Sequence, residues 1–459
     1  MSFIIFLVGG YLTVKFSFLQ ITSVKEWLVL SVASLFKRKD KKNNTVTQFS
    51  SFCNCLAATI GTGNIAGVAT AIALSGPGAI FWMWCSALFS MAIGYAENVL
   101  GILYRKKAQD GTFVGGAMCY LENGLNSKPI AVLYALLLSV TAFGIGNLVQ
   151  TNSAALGAVQ LIRGLGIKAQ TNQILTVSAL FLTVFLGIIT FGGLKALSRL
   201  TEKLVPFMAL FYILGCVLVI AFNFDKVPYA FSQIFSHAFN TKSVVGGTVG
   251  YTVMMAIRQG VNFGVFSNEA GLGSSVSGHS QTENATPRQM GMWSMFEIFI
   301  DTILICTLTA LVVLTSGIYS SESFLAALSA GEDVPIGVEL ALGSFEATLG
   351  SGANLFLSLE TVLFAVSSVA VWSYYGANAI EYASGKNQTA LFLYKLIFVL
   401  LIPFGCFFKS AFVWKLGEGL NAALAIPNLI AVCILSGKVK KYNKDYKNGK
   451  IQQNNSFNR

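Results

Sequence analysis

Charge is scarce in this 459-residue chain: Asp, Glu, Lys and Arg together make up 11%, against about a quarter in soluble domains. With 54% hydrophobic residues, a water-soluble fold would have too little polar surface to cover its long apolar runs. The composition is that of a polytopic membrane protein. Histidine is nearly missing, with only His237 and His279 present. Two histidines leave little general-base chemistry and argue against a histidine-based metal site. No Gly-x-Ser-x-Gly elbow or His-Glu-x-x-His helix is visible, so a membrane-embedded hydrolase would lack its nucleophile and base. The eight cysteines show no zinc-ligand spacing. Cys53 and Cys55, two apart, face different directions on a helix, and all eight read as buried free thiols. The opening run after Met1-Ser2 has neither a basic start nor a small-residue cleavage site, so no cleavable signal is expected. The net charge of +11 resides in short connectors and the tail, where it sets membrane orientation. No nucleic-acid partner is expected.

What the chain does contain is glycine inside apolar runs. Residues 57–78 are apolar enough for a bilayer, yet Gly61, Gly63 and Gly67 interrupt them, with Thr62 and Asn64 alongside. Glycine is a poor interior helix residue but permits unusual backbone angles. A helix that opens here frees N–H and C=O groups, which in hydrocarbon need protein or a bound polar solute as partners. Taken alone, the stretch fits close helix packing through small residues equally well. A second interrupted segment, residues 257–274, again mixes glycine with amides, hydroxyls and charge. Two broken spans in matching positions of two halves point to a secondary transporter with inverted repeats. A channel would show repeated pore loops, whereas these two segments are chemically unlike.

A span needs roughly 20 mostly apolar residues, which gives about eleven spans. The first is residues 2–19, and 23–36 suit an amphipathic helix on the membrane surface. The run from Lys37 to Lys42 follows as a cytoplasmic loop. Core spans are expected at 48–74, 78–104, 129–161, 173–194, 204–222, 247–275, 289–316, 353–384, 389–408 and 412–436, with an outer loop over 223–246. Residues 1–46 thus hold an N-terminal helix, an amphipathic helix and the basic loop. Residues 47–436 form one core, and 437–459 a basic, mobile cytoplasmic tail.

The breaks define a pocket. A half-helix start attracts an anion such as an amino-acid carboxylate, and a half-helix end attracts an ammonium or Na⁺. The carboxylate is expected against Thr62, Gly63 and Asn64, and the ammonium near Gly264, Phe266 and Asn268. Charged residues inside spans need partners. Arg258, Glu269, Glu297 and Asp301, with Glu97, read as gating or helix-pairing residues. Glu297 and Asp301, four apart, would share a face and repel, so one is expected to hold a proton or pair with Arg258 or Arg288.

The phrases ATIGTGNIAGVATAIALSGPGAIFWMW, FSNEAGLGSS, FEIFIDTILICTLTALV and VWSYYGANAIEY resemble the alanine or glycine:cation symporter family over nearly the whole chain. The resemblance implies an all-α, leucine-transporter-type fold. One N-terminal helix precedes a 5+5 inverted-repeat core, whose helices 1 and 6 are broken. It also implies Na⁺-coupled import of alanine or glycine by alternating access across a bacterial inner membrane, with no obligate protein partner. A proton-coupled permease or an uncoupled exchanger is the alternative. Gln150 matches the position the family uses to contact substrate. Trp372 would wall the pocket with Phe266, leaving room for a small side chain. Ser367 and Ser368 would ligate Na⁺ opposite carbonyls of the first core helix, with Gly61 and Asn64 nearest. The chain departs from the family pattern at Asn262-Phe263, Ser275-Val276 and Ala377, where relatives carry Ala-Arg, Ala-Pro and a glutamate.

Overall fold

Segments that cross hydrocarbon must satisfy their own backbone polar groups, and a helix does so within a single segment. The computed structural model describes residues 2–35, 46–107, 113–239, 253–283, 285–330 and 334–450. Among these, the only sheet is an antiparallel ribbon pairing Lys106–Lys107 with Phe113–Val114. All other regular structure is helical. The Lys37 to Lys42 run lies outside the described residues.

Seven described helices are long and apolar enough to span: Gly78–Tyr104, Lys128–Gly164, Thr171–Phe222, Pro287–Thr315, Gly352–Ala383, Gln388–Phe407 and Ser410–Lys447. At 52 residues, Thr171–Phe222 would run roughly 78 Å if straight, far beyond a hydrocarbon core of about 30 Å. It breaks at Gly193, whose φ of 65° leaves the helical region, and so divides into two spans. Gln48–Thr59 and Thr62–Ser75 qualify only as a pair bent by 57°. Ser2–Lys15 is a shorter apolar helix, ended by left-handed backbone at Ser17 and Phe18.

The structure differs from the sequence reading in two connectors. The expected outer loop over 223–246 contains the helix Val227–Phe239. It lies against Gly78–Tyr104, where Trp82 Nε1 donates to the Ala238 carbonyl at 3.0 Å. A Cβ on Gly78 would meet the His237 backbone at 2.5 Å, so only glycine allows this approach. The tail is not a free strand at its start: Ser410–Lys447 stays helical to Lys447. Polar contacts dock it, with Lys438 Nζ donating to Tyr104 and Tyr95 donating to Asn443, each at 2.5 Å.

The amphipathic segment is present as Val24–Leu35. Its Trp27 is buried against Phe296 and Phe299, at ring-centroid distances of 6.4 and 5.3 Å. Glu26 receives a two-pronged hydrogen bond from Arg288, Nε and Nη2 each at 2.5 Å. Bidentate pairs of this kind are the stronger, more geometrically defined ones. Glu26 retains 32% side-chain exposure while Arg288 has 4%, so solvent screens the pair from one side. Glu26→Gln should therefore cost about 1–3 kcal/mol, less than a fully enclosed pair, because a buried guanidinium loses its counter-charge. The apparent melting temperature in detergent should fall, and Glu26→Leu with Arg288→Met should recover most of the loss. Equal stability of the single variant and the parent would show that the pair holds nothing.

Candidate functional site

The first break opens where the glycines lie. Gln48–Thr59 ends, a single 3₁₀ turn covers Thr62–Asn64, and Ala66–Ser75 resumes. Asn64 stitches the gap: its Oδ1 accepts the Gly61 N–H at 2.9 Å, satisfying a donor that the opened helix would strand. Gln150 faces the same turn from the third core span. Its Oε1 accepts from the Thr62 N–H at 3.4 Å and from the Thr62 hydroxyl at 3.2 Å. Gln150 directly follows a π-helical segment, Ala142–Val149. Such local rewinding re-aims side chains and recurs at functional sites.

The second break falls at the C-terminal end of the interrupted segment, residues 257–274. Val253–Asn268 is continuous through Gly260 and Gly264, and the chain opens only at Glu269 before Ser274–His279. Three positive φ values make the opening, 56° at Glu269, 91° at Gly271 and 71° at Gly273. A non-glycine residue there is uncommon and needs support. The Glu269 carboxylate supplies it, accepting from Ser274 Oγ at 2.7 Å and Trp372 Nε1 at 2.9 Å. Glu269 thereby ties both sides of its own break to the Gly352–Ala383 helix. Gly264 stays within the helix, facing Met83 and Ser86, and is not brought to the break.

The two breaks meet through side chains. Asn64 Nδ2 donates to Ser267 Oγ at 2.9 Å and to Asp301 Oδ1 at 2.7 Å, and Ser267 Oγ donates to Asp301 Oδ2 at 2.7 Å. Thr302 also donates to Asp301 Oδ2 at 2.8 Å and receives Asn268 Nδ2 at 3.1 Å. The Asn64 carbonyl accepts from Thr309 at 2.8 Å. All these residues are buried. Asp301 sits in a second π-helical segment, Phe299–Cys306, which begins two residues after Glu297. The two carboxylates take different partners, Asp301 in the knot and Glu297 at His279, 3.1 Å away. Neither arginine joins them: Arg288 serves Glu26, and exposed Arg258 lines a surface cleft with Lys415 and Glu418.

The aromatic residues stand apart from one another. Phe266 presses on Gly63, where a Cβ would sit 3.2 Å from its ring, and packs against Trp414 at 4.7 Å. Phe266 also floors the cleft, of about 390 Å³, that Arg258 and Glu418 line. Trp372 packs instead on Tyr375 at 5.8 Å and over Gly146, whose Cβ would lie 2.3 Å from the tryptophan. The two serines also diverge. Ser368 Oγ donates to the Ala58 carbonyl of the first broken helix at 3.1 Å. Ser367 Oγ donates to the Phe364 carbonyl in its own helix at 2.9 Å and, weakly, to Met208 Sδ at 3.6 Å. Gly61 and Asn64 turn toward Gln150 and Asp301, not toward the serines.

Sequence reasoning passed over Ser267, Thr302, Thr309 and Trp414. Ser267 lay inside the second glycine-rich run and Thr302 beside Asp301, so intramembrane hydroxyls near a carboxylate were the available signal. Trp414 opens a span and reads like an interface anchor; nothing local ties it to Phe266.

A family model described as the sodium:alanine symporter family matches residues 1–459. The chain belongs to this family. It is 38% identical to the sodium/alanine symporter AgcS of Methanococcus maripaludis over 449 residues, covering 96% of this chain and 93% of that protein. It is 35% identical to the probable sodium/glutamine symporter GlnT of Bacillus subtilis, over 95% of this chain and 86% of that one. The crystal structure of MhsT in complex with L-phenylalanine covers 86% of this chain and 96% of that chain, with a TM-score of 0.57 at 13% identity. The all-α leucine-transporter-type fold follows, and the protein is a multi-pass membrane transporter of the symporter class, not an enzyme.

The knot around Asn64 separates structural from peripheral hydroxyls. Asn64→Ala strands the Gly61 N–H and removes a donor from buried Asp301, at about 1–3 kcal/mol for each unsatisfied group. Its unfolding midpoint in detergent should drop well below the parent's. Ser367→Ala, which loses a bond to its own helix and a weak one, 3.6 Å, to the Met208 sulfur, should stay within about 1 kcal/mol. Equal losses in the two variants would contradict the geometry.

Proposed function

We propose that this protein imports small neutral amino acids, alanine or glycine, in symport with Na⁺ by alternating access across the bacterial inner membrane. The basic loop and the C-terminus face the cytoplasm in this reading. The observation that carries it is the meeting of two broken helices at Asn64 and Ser267. Opened helices offer main-chain dipoles to a zwitterion in a setting where an uncharged solute would leave them unpaired. The Gln150 amide oxygen occupies the Thr62 N–H and hydroxyl, the same donors that would suit a substrate carboxylate oxygen. Phe266 held against Gly63 and Trp372 held over Gly146 leave little width for a long side chain, which favours alanine or glycine. Asn268, bonded to Thr302, lies at the end of Val253–Asn268, where C-terminal carbonyls favour an ammonium.

For the ion, Ser368 and the Ala58 carbonyl supply two oxygens at the C-terminal end of Gln48–Thr59. Hard cations take such ligands, and the helix end adds its negative dipole. Proton coupling is the second reading. It is favoured by Asp301, which is buried among three donors while no basic side chain among the described residues forms an ion pair with it.

An inward Na⁺ gradient should drive labelled-alanine uptake into proteoliposomes, and choline at constant pH should abolish it. Ser368→Ala should raise the Na⁺ concentration for half-maximal uptake by at least about tenfold, as about 1.4 kcal/mol of lost ion binding would. Undiminished uptake in choline that follows a pH gradient and is lost in Asp301→Asn would select the proton instead. Trp372→Ala should admit longer side chains; an unchanged substrate range with unchanged uptake would remove this residue from the pocket.

A further inference from the structure

Away from the knot at Asn64, three side chains with metal-ligating atoms come together from distant parts of the chain. Cys55 belongs to Gln48–Thr59, His279 ends Ser274–His279, and Glu297 lies in Pro287–Ile298. One ligand atom from each falls within 4.8 Å of the other two. Their exposures are 0%, 1% and 2%. Nothing in their sequence spacing announces this, because each ligand comes from a different helix.

The local bonding leaves the group incomplete. His279 Nε2 meets Glu297 Oε2 at 3.1 Å, while the other carboxylate oxygen, Oε1, is buried with no hydrogen-bond partner among the described residues. Buried carboxylate oxygens ordinarily find donors, and one without a donor asks for an explanation. On the other side of the imidazole the Ser51 hydroxyl stands 3.3 Å from His279 Nδ1 and donates to the Gly278 carbonyl at 3.0 Å, which orients the ring. The Cys55 thiol donates to the Ser275 carbonyl at 3.5 Å while its sulfur stays within 4.8 Å of the ligand atoms of His279 and Glu297.

We infer that Cys55, His279 and Glu297 form a binding site for a divalent transition metal of the zinc class. The ligand chemistry is decisive. Thiolate and imidazole suit Zn²⁺ or Co²⁺, whereas Na⁺, Mg²⁺ and Ca²⁺ take oxygen ligands. Three protein ligands leave a fourth position, which water can fill. A tetrahedral ion with bonds of about 2.0–2.3 Å spaces its ligand atoms roughly 3.3–3.8 Å apart, so closure needs movements of about 1 Å. Charge balances as well. On binding, two protons pass to water, one from the Cys55 thiol and one from the His279 Nε2–Glu297 Oε2 hydrogen bond, so that thiolate, carboxylate and neutral imidazole coordinate the ion. Two anionic ligands and one dication sum to zero, the condition a buried site in a membrane protein requires.

The site would fasten segments adjoining both breaks. Cys55 lies three residues before Ala58, less than one helical turn from the proposed Na⁺ ligands, and His279 ends the short helix beyond the second break. A bound ion therefore joins the two broken helices to the Pro287–Thr315 helix, independently of any transported solute.

The test is titration of the purified, chelator-treated full-length protein in detergent with Co²⁺, read by visible and near-ultraviolet absorption. One equivalent should produce tetrahedral d–d bands and a thiolate-to-cobalt charge-transfer band, both displaced by Zn²⁺. Cys55→Ser should lose the charge-transfer band. Glu297→Gln, nearly isosteric, should keep that band while binding at least about tenfold more weakly. His237→Ala, which removes the other histidine, should match the parent. Zn²⁺ should raise the melting temperature of the parent and not that of Cys55→Ser. No charge-transfer band in the parent, or a band that persists in Cys55→Ser, would overturn the inference. Neither result depends on whether the protein carries alanine.

Discussion

Opening a helix inside a bilayer strands N–H and C=O groups that water cannot reach, and the structure depends on how those groups are satisfied. Asn64 carries the largest share. One end of its amide closes the first break through Gly61, and the other reaches across to Ser267 and Asp301. One buried amide thus supports the 3₁₀ turn, joins the two broken helices and gives Asp301 a donor. The second break is held differently, through a carboxylate: Glu269 adopts left-handed backbone and is secured by Ser274 and Trp372. Each break is stabilised by side chains from neighbouring helices, so movement of those helices must be felt at the site.

Several other features serve this arrangement. Both π-helical segments adjoin it, one preceding Gln150 at Thr62 and the other carrying Asp301, four residues after Glu297. Four residues along a regular helix would have set those two carboxylates on one face. In this structure they have different partners, Asp301 in the knot and Glu297 at His279. On the cleft side, Phe266 and Trp414 pack together above Gly63. The absence of a side chain at Gly63 is what lets the phenylalanine approach the first break.

Much of the fold was legible because its rules are local. Long apolar runs, glycine interruptions and basic connectors mark spans, breaks and loops one segment at a time. The bend at Thr62–Asn64 lies where the glycines and Asn64 indicated. The second break lies inside the run at 257–274, but its place within that run was harder to read, since Gly260 and Gly264 look like breakers and serve close packing against Gly78–Tyr104. What opens the chain is the later Glu269-Ala270-Gly271-Leu272-Gly273 run. Partnerships between distant segments were less legible still. Nothing near Arg288 in the chain points to Glu26, and nothing near Trp414 points to Phe266. The serine pair shows the same limit: adjacent residues on one helix face different neighbours, and only Ser368 reaches the first broken helix.

The central claim is that the paired breaks hold the transported zwitterion. The most direct measurement is an experimental structure of the protein determined with alanine and Na⁺ present. The account predicts alanine density between the Thr62–Asn64 turn and the Phe266–Asn268 segment, its carboxylate at the first break and within reach of Gln150. Well-resolved alanine at a different location, with the two breaks in contact only with protein, would contradict it.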